Sequence, residues 1–271
     1  MGSSTSGVVV SGTASARPVL SFRNFSLRCD KSDAQISFQS PWNWDLVESK
    51  RIAVITNNPF LQYQLIASLA GLVPSVSGKT LIEGVISWPV GGEGGLDGKL
   101  RISHSLNFLT TVYSDCLEKS RVTLDEFWAL LSSVNINPRS LIKELSREQK
   151  AFFFLALSVL FSFDLYLISR TKYLMSRPAK PLRSLLLKQL EGKALIATSP
   201  NIRFRREFCT HGLVLGSLGQ ILFAGELFDA VEWADQNLET SDIPISDEDY
   251  FEMGLSLRNS ESSDGQSDDI I

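Results

Sequence analysis

The segment best placed to do chemistry is a strand–turn–helix unit around residue 56. The apolar run RIAVIT at 51–56 is typical of a central parallel strand, and a helix-like segment at 61–70 follows it and is closed by Gly71. α/β proteins place phosphate-binding loops at such junctions, because the backbone N–H groups of a helix N-terminus attract anions. A glycine cluster follows at 91–98. Phosphate binding is therefore the first chemistry to test.

Metal and thiol chemistry have less support. The three cysteines Cys29, Cys116 and Cys209 lie far apart without a CxxC spacing. An odd, sparse set argues against a disulfide framework and fits a reducing cytosol. The two histidines, His104 and His211, have no Cys, His or carboxylate at a metal-ligand spacing. We expect no metal site.

Composition and charge restrict the classes further. The chain has 271 residues, 44% hydrophobic and 21% charged, which excludes a fully disordered chain, a collagen and a coiled coil. The net charge of −4 argues against nucleic acid as a partner. Residues 235–271 hold eleven acids and one base, whereas residues 1–234 carry a net charge of +6. A basic body with an acidic tail suits a protein that lies near an anionic membrane face or an anionic partner. A solvated surface without any binding function would have the same composition.

The hydrophobic patterns predict an α/β core with an antiparallel β subdomain and an inserted helical subdomain. The strands are expected at 19–27, 34–38, 51–56, 80–86, 164–169, 193–198, 212–216 and 220–225. The helices are expected at 61–70, 103–116, 124–134, 147–161, 181–190 and 203–208. Asp164 interrupts the apolar run 151–168, which we interpret as a buried helix and a central strand rather than a membrane span.

These elements suggest three regions, one of which contains a subdomain. We expect a flexible leader at 1–18, a folded domain at 19–234 with its helical subdomain at about 99–162, and an acidic disordered tail at 235–271. Ser146 is placed to cap the long apolar helix that begins at residue 147. Trp42, Trp44, Phe127 and Trp128 are expected to pack in the core, and Arg203, Arg205 and Arg206 to form a solvated helix face.

The segment ISWPVGGEGGLDGKL at 86–100 resembles one protein family. It is similar to the segment that follows the β subdomain in ATP-binding subunits of capsular-polysaccharide ABC exporters, and the resemblance covers roughly residues 19–230. The matching residues are Ile86, Ser87, Trp88, Pro89, Val90, Gly91, Gly94, Gly95, Gly98 and Leu100. FDLYLIS at 163–169 and EFC at 207–209 match as well. The resemblance implies an ABC nucleotide-binding-domain fold, with a P-loop NTPase-like core sheet, that would use Mg-ATP.

The residues that such a family uses to bind ATP are replaced. Where the family has GxxxxGK and then Ser or Thr, this chain reads TNNPFLQY, so that Thr56, Leu61, Gln62 and Tyr63 replace the glycines, the lysine and the magnesium-binding hydroxyl, around Asn57 and Asn58. Ser169 and Arg170 replace the Asp-Glu pair that holds magnesium and activates water. The switch histidine corresponds to Pro200, and the glutamine that faces the membrane subunit corresponds to Asp97.

The signature LSGGQ reads LSREQ, formed by Leu145, Ser146, Arg147, Glu148 and Gln149. Ser146 and the helix N-terminus could still donate to a phosphate held by a partner subunit. Glu148 would repel that phosphate, by about 1 kcal/mol or more at about 4 Å. The interpretation of Ser146 as a helix cap is favoured. We therefore predict a pseudo-ATPase that binds Mg-ATP weakly or not at all.

The Trp-Pro segment has two interpretations. It could form the groove that holds a membrane subunit's coupling helix, or it could be a tight turn between subdomains that uses glycine for positive φ. The docking candidates are Trp88, Pro89, Gly91, Gly94, Gly95, Leu96 and Gly98. Keeping this motif without a nucleotide site slightly favours the groove.

The leading hypothesis is an accessory or regulatory subunit of a polysaccharide exporter. The resemblance implies a cytosolic protein, peripheral on the inner face of the membrane. Its partners would be a permease and either an intact ATPase paralogue or a second copy. The alternatives are a working ATPase subunit with divergent motifs and a scaffold, independent of transport, that binds through its acidic tail.

Overall fold

The computed structural model of the chain describes residues 17–31, 36–93 and 95–238. The strands in these residues are β1 (Pro18–Ser26), β2 (Asp45–Val47), β3 (Arg51–Ile55), β4 (Ser77–Ile82), β5 (Ile86–Pro89), β6 (Leu165–Ile168), β7 (Ala194–Ala197), β8 (His211–Leu215) and β9 (Ile221–Glu226). The helices are α1 (Pro59–Leu69), α2 (Ile102–Val112), α3 (Ser114–Glu118), α4 (Leu124–Ser133), α5 (Arg147–Leu160), α6 (Lys180–Gln189), α7 (Ile202–Phe208) and α8 (Leu227–Asn237), with a 3₁₀ turn at Ile142–Glu144.

The main sheet has six strands in the order β5-β6-β7-β3-β8-β9. All neighbours are parallel except β8 and β9, which form an antiparallel hairpin. Every residue of β6 and β7 is buried, which explains why their sequences are apolar without alternation. The carboxyl ends of β3, β6 and β7 meet at one edge, where open α/β sheets bind ligands.

The two faces of this sheet are covered differently. On one face Ala53, Tyr166 and Leu195 pack in a cluster with the apolar sides of α2 and α4–α7. On the other face Val54, Leu165 and Ile196 pack with α1 and with a second sheet. Consecutive side chains in a strand point to opposite faces of the sheet, so each of these short apolar strands contributes side chains to both hydrophobic clusters.

The second sheet has three antiparallel strands in the order β2-β1-β4. Its interior is an aromatic cluster in which Phe22 lies 5.3 Å from Trp42 and 4.7 Å from Trp44, measured between ring centroids. Trp42 also donates from Nε1 to the carbonyl of Gly219 over 2.9 Å, which ties this sheet to the β8–β9 turn. The prediction that Trp42 and Trp44 pack in the interior is confirmed.

Three sequence predictions need correction. The predicted strand at 34–38 is absent from the described residues, where Ser37 makes only an isolated bridge to Arg28. The predicted ribbon at 80–86 is divided between two sheets, because β4 ends at Ile82 and β5 begins at Ile86. Helix α8 was not predicted, and it extends the fold to Asn237, beyond the expected boundary at 234.

The cause of the third error is the composition of α8. Its acids, Asp229, Glu232 and Asp235, resemble the residues that follow it, whereas Ala230 and Ala234 pack against Ile55 and Val214 on the sheet. The leader up to residue 16 and the tail from residue 239 lie outside the described residues.

The apolar run at 151–168 folds as the sequence predicts. Helix α5 contributes a continuous buried stretch from Phe152 to Leu160, and β6 follows it. Throughout the described part of the chain, each helix is too short or too polar to cross a membrane.

Candidate functional site

The junction between β3 and α1 occupies the position of a phosphate loop. Strand β3 ends at Ile55 and α1 begins at Pro59, so only Thr56, Asn57 and Asn58 connect them. In the pattern strand–GxxxxGK[ST]–helix, the variable residues form the loop that surrounds the phosphates. Here the helix already begins at the fourth residue of that pattern. The connection therefore has three residues, and the rest of the pattern is helical.

Asn58 closes the first turn of α1. Its Oδ1 accepts a hydrogen bond from the N–H of Leu61 over 3.0 Å, and Pro59 occupies the first helical turn, where it costs no hydrogen bond. Its Nδ2 donates to the carbonyls of Cys29 and Ser217, over 2.7 and 2.8 Å. The Asn58 side chain thus joins α1 to the segment after β1 and to the β8–β9 turn. A helix N-terminus that would otherwise receive an anion is capped by the chain itself.

Gln62 stands where the family has lysine, and it is only 3% exposed. Its Nε2 donates to the carbonyl of Thr56 over 2.8 Å, so the amide turns back toward the end of β3. Its Oε1 is buried and finds no hydrogen-bond partner within the described residues. Leu61 is fully buried, and Tyr63 is half-buried. The junction therefore presents neither a lysine nor a magnesium-binding hydroxyl.

A cleft of about 680 Å³ lies in front of this helix end. Its lining residues are Cys29, Asp30, Lys31, Asn57, Asn58, Pro59, Phe60 and Ser217. Among the described residues, the cleft lining has one carboxylate and one ammonium, so these side chains give no excess of positive charge for a triphosphate. Burial, and secondarily the charge of Asp30, raise the pKa of the Cys29 thiol to about 11, which keeps that thiol protonated and unreactive at neutral pH.

The chain after β6 carries a cation where a magnesium-binding pair is expected. Burial lowers the pKa of Arg170 to about 10, with Glu93 acting in the opposite direction, and the guanidinium stays charged at neutral pH. Ser169 is half-buried. Beyond them, Thr171 is buried, and its hydroxyl lies 2.5 Å from the hydroxyl of Ser199. At this edge of the sheet the hydroxyls of Thr171 and Ser199 therefore contact each other, and Ser169 and Arg170 stand where a pair of metal-binding carboxylates is expected.

The segment after β7 is also held by local hydrogen bonds. Pro200, at the switch position, lies between Ser199 and Asn201, and Asn201 caps α7 by accepting from the N–H of Phe204 over 3.0 Å. Arg205 donates from Nε to the carbonyl of Ser199 over 2.7 Å and is half-buried. The prediction of a solvated arginine face is therefore wrong for Arg205 and holds for the exposed Arg203 and Arg206.

The signature-like segment forms a helix cap, as favoured from the sequence. Ser146 Oγ accepts from the N–H of Gln149 over 3.2 Å, and Gln149 Oε1 accepts from the N–H of Ser146 over 3.1 Å. Gln149 also donates from Nε2 to the carbonyls of Val134 and Asn135. Leu145 is buried, whereas Arg147 and Glu148 are exposed in the first turn. Ser146 and Gln149 are therefore both engaged in capping the start of α5.

Trp88 packs between elements of the fold, and its role in docking stays a prediction. Its ring is half-buried and lies 5.2 to 5.9 Å from Tyr113, Phe161 and Phe163, between centroids. Its Nε1 donates to Ser158 Oγ over 3.0 Å. Replacing Trp88 cannot release a docked partner without disturbing this packing. Trp88 is therefore unsuited as a selective docking probe.

The rest of the Trp-Pro segment forms turns. Gly91 has φ of +76° and donates to Ser158 Oγ over 3.1 Å, and Gly95 has φ of +74°. Gly98 accepts from the N–H of Lys143 over 2.8 Å, and Leu96 packs against the core. These contacts fit the tight-turn interpretation. Pro89 pairs with Leu167 at the end of β5.

Two further positions complete the predicted site. Asp97 is exposed, and its Oδ1 accepts from the N–H of Lys99 over 2.8 Å, so it closes a local turn. Gly94 lies outside the described residues. Within the described part of the chain, no group of three His, Cys, Asp or Glu side chains could hold a metal ion.

The junction also contains contacts that the sequence alone does not indicate. Asn58 was named only as part of a lost motif, and Cys29 and Ser217 were not connected with it. An Asn directly before Pro at a predicted helix start indicates an N-cap followed by the first helical residue, and this signal could have identified the role of Asn58. The contacts with Cys29 and Ser217 depend on tertiary structure.

The fold has close counterparts among solved structures. An ATP-binding subunit of an ABC transporter matches with a TM-score of 0.58 at 15% identity, covering 88% of this chain and 99% of its own. The dimeric bacterial ABC transporter cassette MJ0796 matches with a TM-score of 0.56 at 12% identity, covering 77% and 98%. The chain has the fold of an ABC nucleotide-binding domain.

Curated relatives specify the class further. The polysialic acid transport ATP-binding protein KpsT of Escherichia coli is 29% identical over 66% of this chain and 82% of its own length. The capsule polysaccharide export ATP-binding protein CtrD of Neisseria meningitidis serogroup B is 24% identical over 64% and 79%. No protein-family model matches the chain. The chain is similar to ATP-binding subunits of capsule-polysaccharide exporters.

Proposed function

We propose that this protein is a non-hydrolysing subunit of a polysaccharide exporter. It would act by docking on a permease or by pairing with an intact ATP-binding subunit. This role would place it at the inner face of the membrane as a peripheral protein. The relatives KpsT and CtrD are named for ATP binding in polysaccharide transport, which supports the transport context.

The observation that carries the proposal is the β3–α1 junction. Three residues connect the strand to the helix, Asn58 caps the helix, and Gln62 is bonded to Thr56. A phosphate would have to displace the contacts of Asn58 with Leu61, Cys29 and Ser217 before reaching the helix N-terminus. A charged-group hydrogen bond contributes about 1.5–3 kcal/mol, and here several local bonds must first be lost. The junction therefore disfavours Mg-ATP.

Loss of hydrolysis has a second, independent support. The residues after β6 are Ser169 and Arg170, and a cation there repels magnesium instead of binding it. The residue after Ser199 is Pro200, which has no imidazole to contact a γ-phosphate. Restoring the phosphate loop alone would not restore turnover.

The proposal is tested by measuring Mg-ATP binding and phosphate release with the purified full-length chain. We expect no calorimetric heat of binding and no shift in melting temperature at millimolar Mg-ATP. A ligand at about 100 times its Kd adds about 2.7 kcal/mol of stability, so even modest binding would be visible. A Kd in the low micromolar range, or steady phosphate release, would refute the proposal in favour of an ATPase with divergent motifs. KpsT, handled identically, is the positive control.

Variants that restore the family's residues distinguish the contribution of the side chains to ATP hydrolysis from that of the backbone at the junction. The variant Gln62→Lys with Tyr63→Ser, and the same pair with Ser169→Asp and Arg170→Glu, should also fail to hydrolyse ATP, because Pro59 and Asn58 still set the short junction. Phosphate release from the quadruple variant would show that side chains alone decide activity. Circular dichroism establishes that each variant is folded.

Association is measured by pulling down the chain from solubilised membranes. Co-purification with a permease, or with an intact ATP-binding subunit, supports the accessory role. Recovery without any transport component would instead favour the scaffold alternative.

A further inference from the structure

The structure divides charge between two parts of the chain. The segment 170–206 holds ten Lys and Arg residues and one acid, Glu191, whose carboxylate pairs with Arg121. The segment 97–144, on the other side of α5 in the sequence, holds six bases and six acids. The segment 239–271 holds ten acids and one base. The net charges of 170–206 and 239–271 are therefore +9 and −9.

Helices α6 and α7 present this positive charge on one surface. Leu182 and Leu186 of α6 and Phe204 and Phe208 of α7 are buried against the same face of the six-stranded sheet. Arg183 of α6 and Glu207 of α7 form an ion pair of 3.3 Å, which places the two helices side by side.

The outward sides of these helices and of the preceding connection carry exposed bases. We call this set the basic face, and its members are Lys172, Arg177, Lys180, Lys188, Arg203 and Arg206. Lys180 and Lys188 are eight residues apart on α6, and Arg203 and Arg206 are three apart on α7, so each pair lies on one side of its helix.

Helix α8, which leads into the segment 239–271, lies on the same side of the sheet as the basic face. Ala230 and Ala234 of α8 pack on Ile55 of β3. Ile55 lies two residues after Ala53, which packs with α5–α7, and side chains two residues apart in a strand point to the same face. Helix α8 therefore covers the same face of the sheet as α5–α7. The last residue of β9, Glu226, pairs with His211 at the start of β8, so α8 begins at the amino ends of the parallel strands. From there α8 runs toward their carboxyl ends. Helices α6 and α7 begin at that same edge. The 33 residues from 239 can span about 100 Å when extended, so reach does not limit contact.

We propose that the acidic segment 239–271 binds the basic face of its own chain. Its occupancy would keep the basic face from other anionic surfaces. Tethering makes the contact intramolecular and raises the effective concentration of the segment to the millimolar range. Because the contact is electrostatic between exposed groups, salt should weaken it. The inference is independent of nucleotide binding.

Zero-length cross-linking of the full-length chain tests the contact directly. A carbodiimide joins carboxylates to lysine amines, and mass spectrometry locates the products. We expect carboxylates of 239–271 to join Lys172, Lys180 and Lys188 at least about fivefold more often than the equally exposed Lys99, Lys119 and Lys143. The preference should fall severalfold between about 0.05 and 0.5 M NaCl, where the screening length shortens from about 14 to 4 Å. An even distribution over both sets of lysines would overturn the proposal.

Two variants sharpen this test. Reversing Arg177→Glu, Lys180→Glu, Arg203→Glu and Arg206→Glu should abolish the remaining cross-links to Lys172 and Lys188. The matched control, Lys99→Glu, Lys119→Glu, Arg139→Glu and Lys143→Glu, should leave them unchanged. A mixture of ¹⁵N-labelled and unlabelled chains separates contacts within a chain from contacts between chains. Cross-links that join labelled to unlabelled chains would refute binding to the same chain.

A vesicle experiment distinguishes the segment from an anionic lipid. In the full-length chain, the ten acids of 239–271 are changed to their amides, and binding to phosphatidylglycerol vesicles is compared with the unchanged chain. Release of the basic face should strengthen vesicle binding at least about fivefold, and the four reversals at the basic face should remove that gain. Equal binding with and without the acids would show that the segment does not occupy the face.

Discussion

The β3–α1 junction and the corner where β5 meets α5 differ in what their residues contact. At the junction, Asn58 and Gln62 bond to neighbouring backbone, and only three residues connect the strand to the helix. At the corner, Trp88 and Gly91 both donate to Ser158, and three aromatic rings surround the indole. Residues that bind only a ligand can change without loss of the fold, whereas residues that pack between elements cannot.

The largest effect is expected from Trp88→Ala. It removes three aromatic contacts and one hydrogen bond at the corner, and we expect about 3 kcal/mol of lost unfolding free energy. Urea or thermal unfolding measures this loss. Phe108→Ala, on the exposed side of α2, is the control and should change stability by less than about 0.5 kcal/mol. If Trp88→Ala were as stable as the control, the corner would not be a structural element and the docking interpretation would regain its strength.

A smaller loss is expected from Ser158→Ala. Ser158 is fully buried, and the change leaves the indole N–H of Trp88 and the N–H of Gly91 without their acceptor. Leaving a buried donor unsatisfied costs about 1–3 kcal/mol, so we expect about 2 kcal/mol. Ser132→Ala on the exposed side of α4 controls for serine replacement in a helix. A neutral Ser158→Ala would mean that packing alone holds the corner.

The smallest effect is expected at the junction, from Asn58→Ala. The loss of an N-cap costs about 1 kcal/mol, and the bonds to Cys29 and Ser217 should bring the total to about 1.5 kcal/mol. Asn201→Ala, which removes the cap of α7, is the matched control and should cost about 1 kcal/mol. Equal losses in the two variants would indicate that the additional Asn58 bonds contribute no stability.

Much of this architecture follows from local sequence. The apolar runs at 51–56 and 164–169 predicted β3 and β6, and Ser146 was correctly predicted to cap α5. Gln62 and Tyr63, at the positions of the family's lysine and hydroxyl, predict a weak or absent phosphate site, and this stays a prediction. The direction of the Gln62 amide and the contacts of Asn58 could not be predicted, since both depend on residues far away in the sequence. The sequence leaves both a docking groove and a tight turn open for Trp88, because a sequence does not show which side of a strand faces another helix.

The division of β4 and β5 between two sheets illustrates the same limit. Residues 80–86 have one continuous β pattern, and only the turn before Val85 directs the chain from the three-stranded sheet to the six-stranded sheet. At this turn Asp164 accepts from the N–H of Val85 over 2.9 Å. The partner that determines this turn lies 79 residues away along the chain. Local periodicity cannot identify such a partner.

The burial of all three cysteines gives the molecule built-in reporters of local opening. Burial raises the pKa of the Cys209 thiol to about 12, that of Cys29 to about 11, and that of Cys116 above its usual value. A thiol reagent can therefore modify each site only after the surrounding structure opens. Cys29 monitors the three-stranded sheet, Cys116 the segment between α2 and α4, and Cys209 the end of α7. The order in which they are labelled under native conditions would rank the stabilities of these three regions.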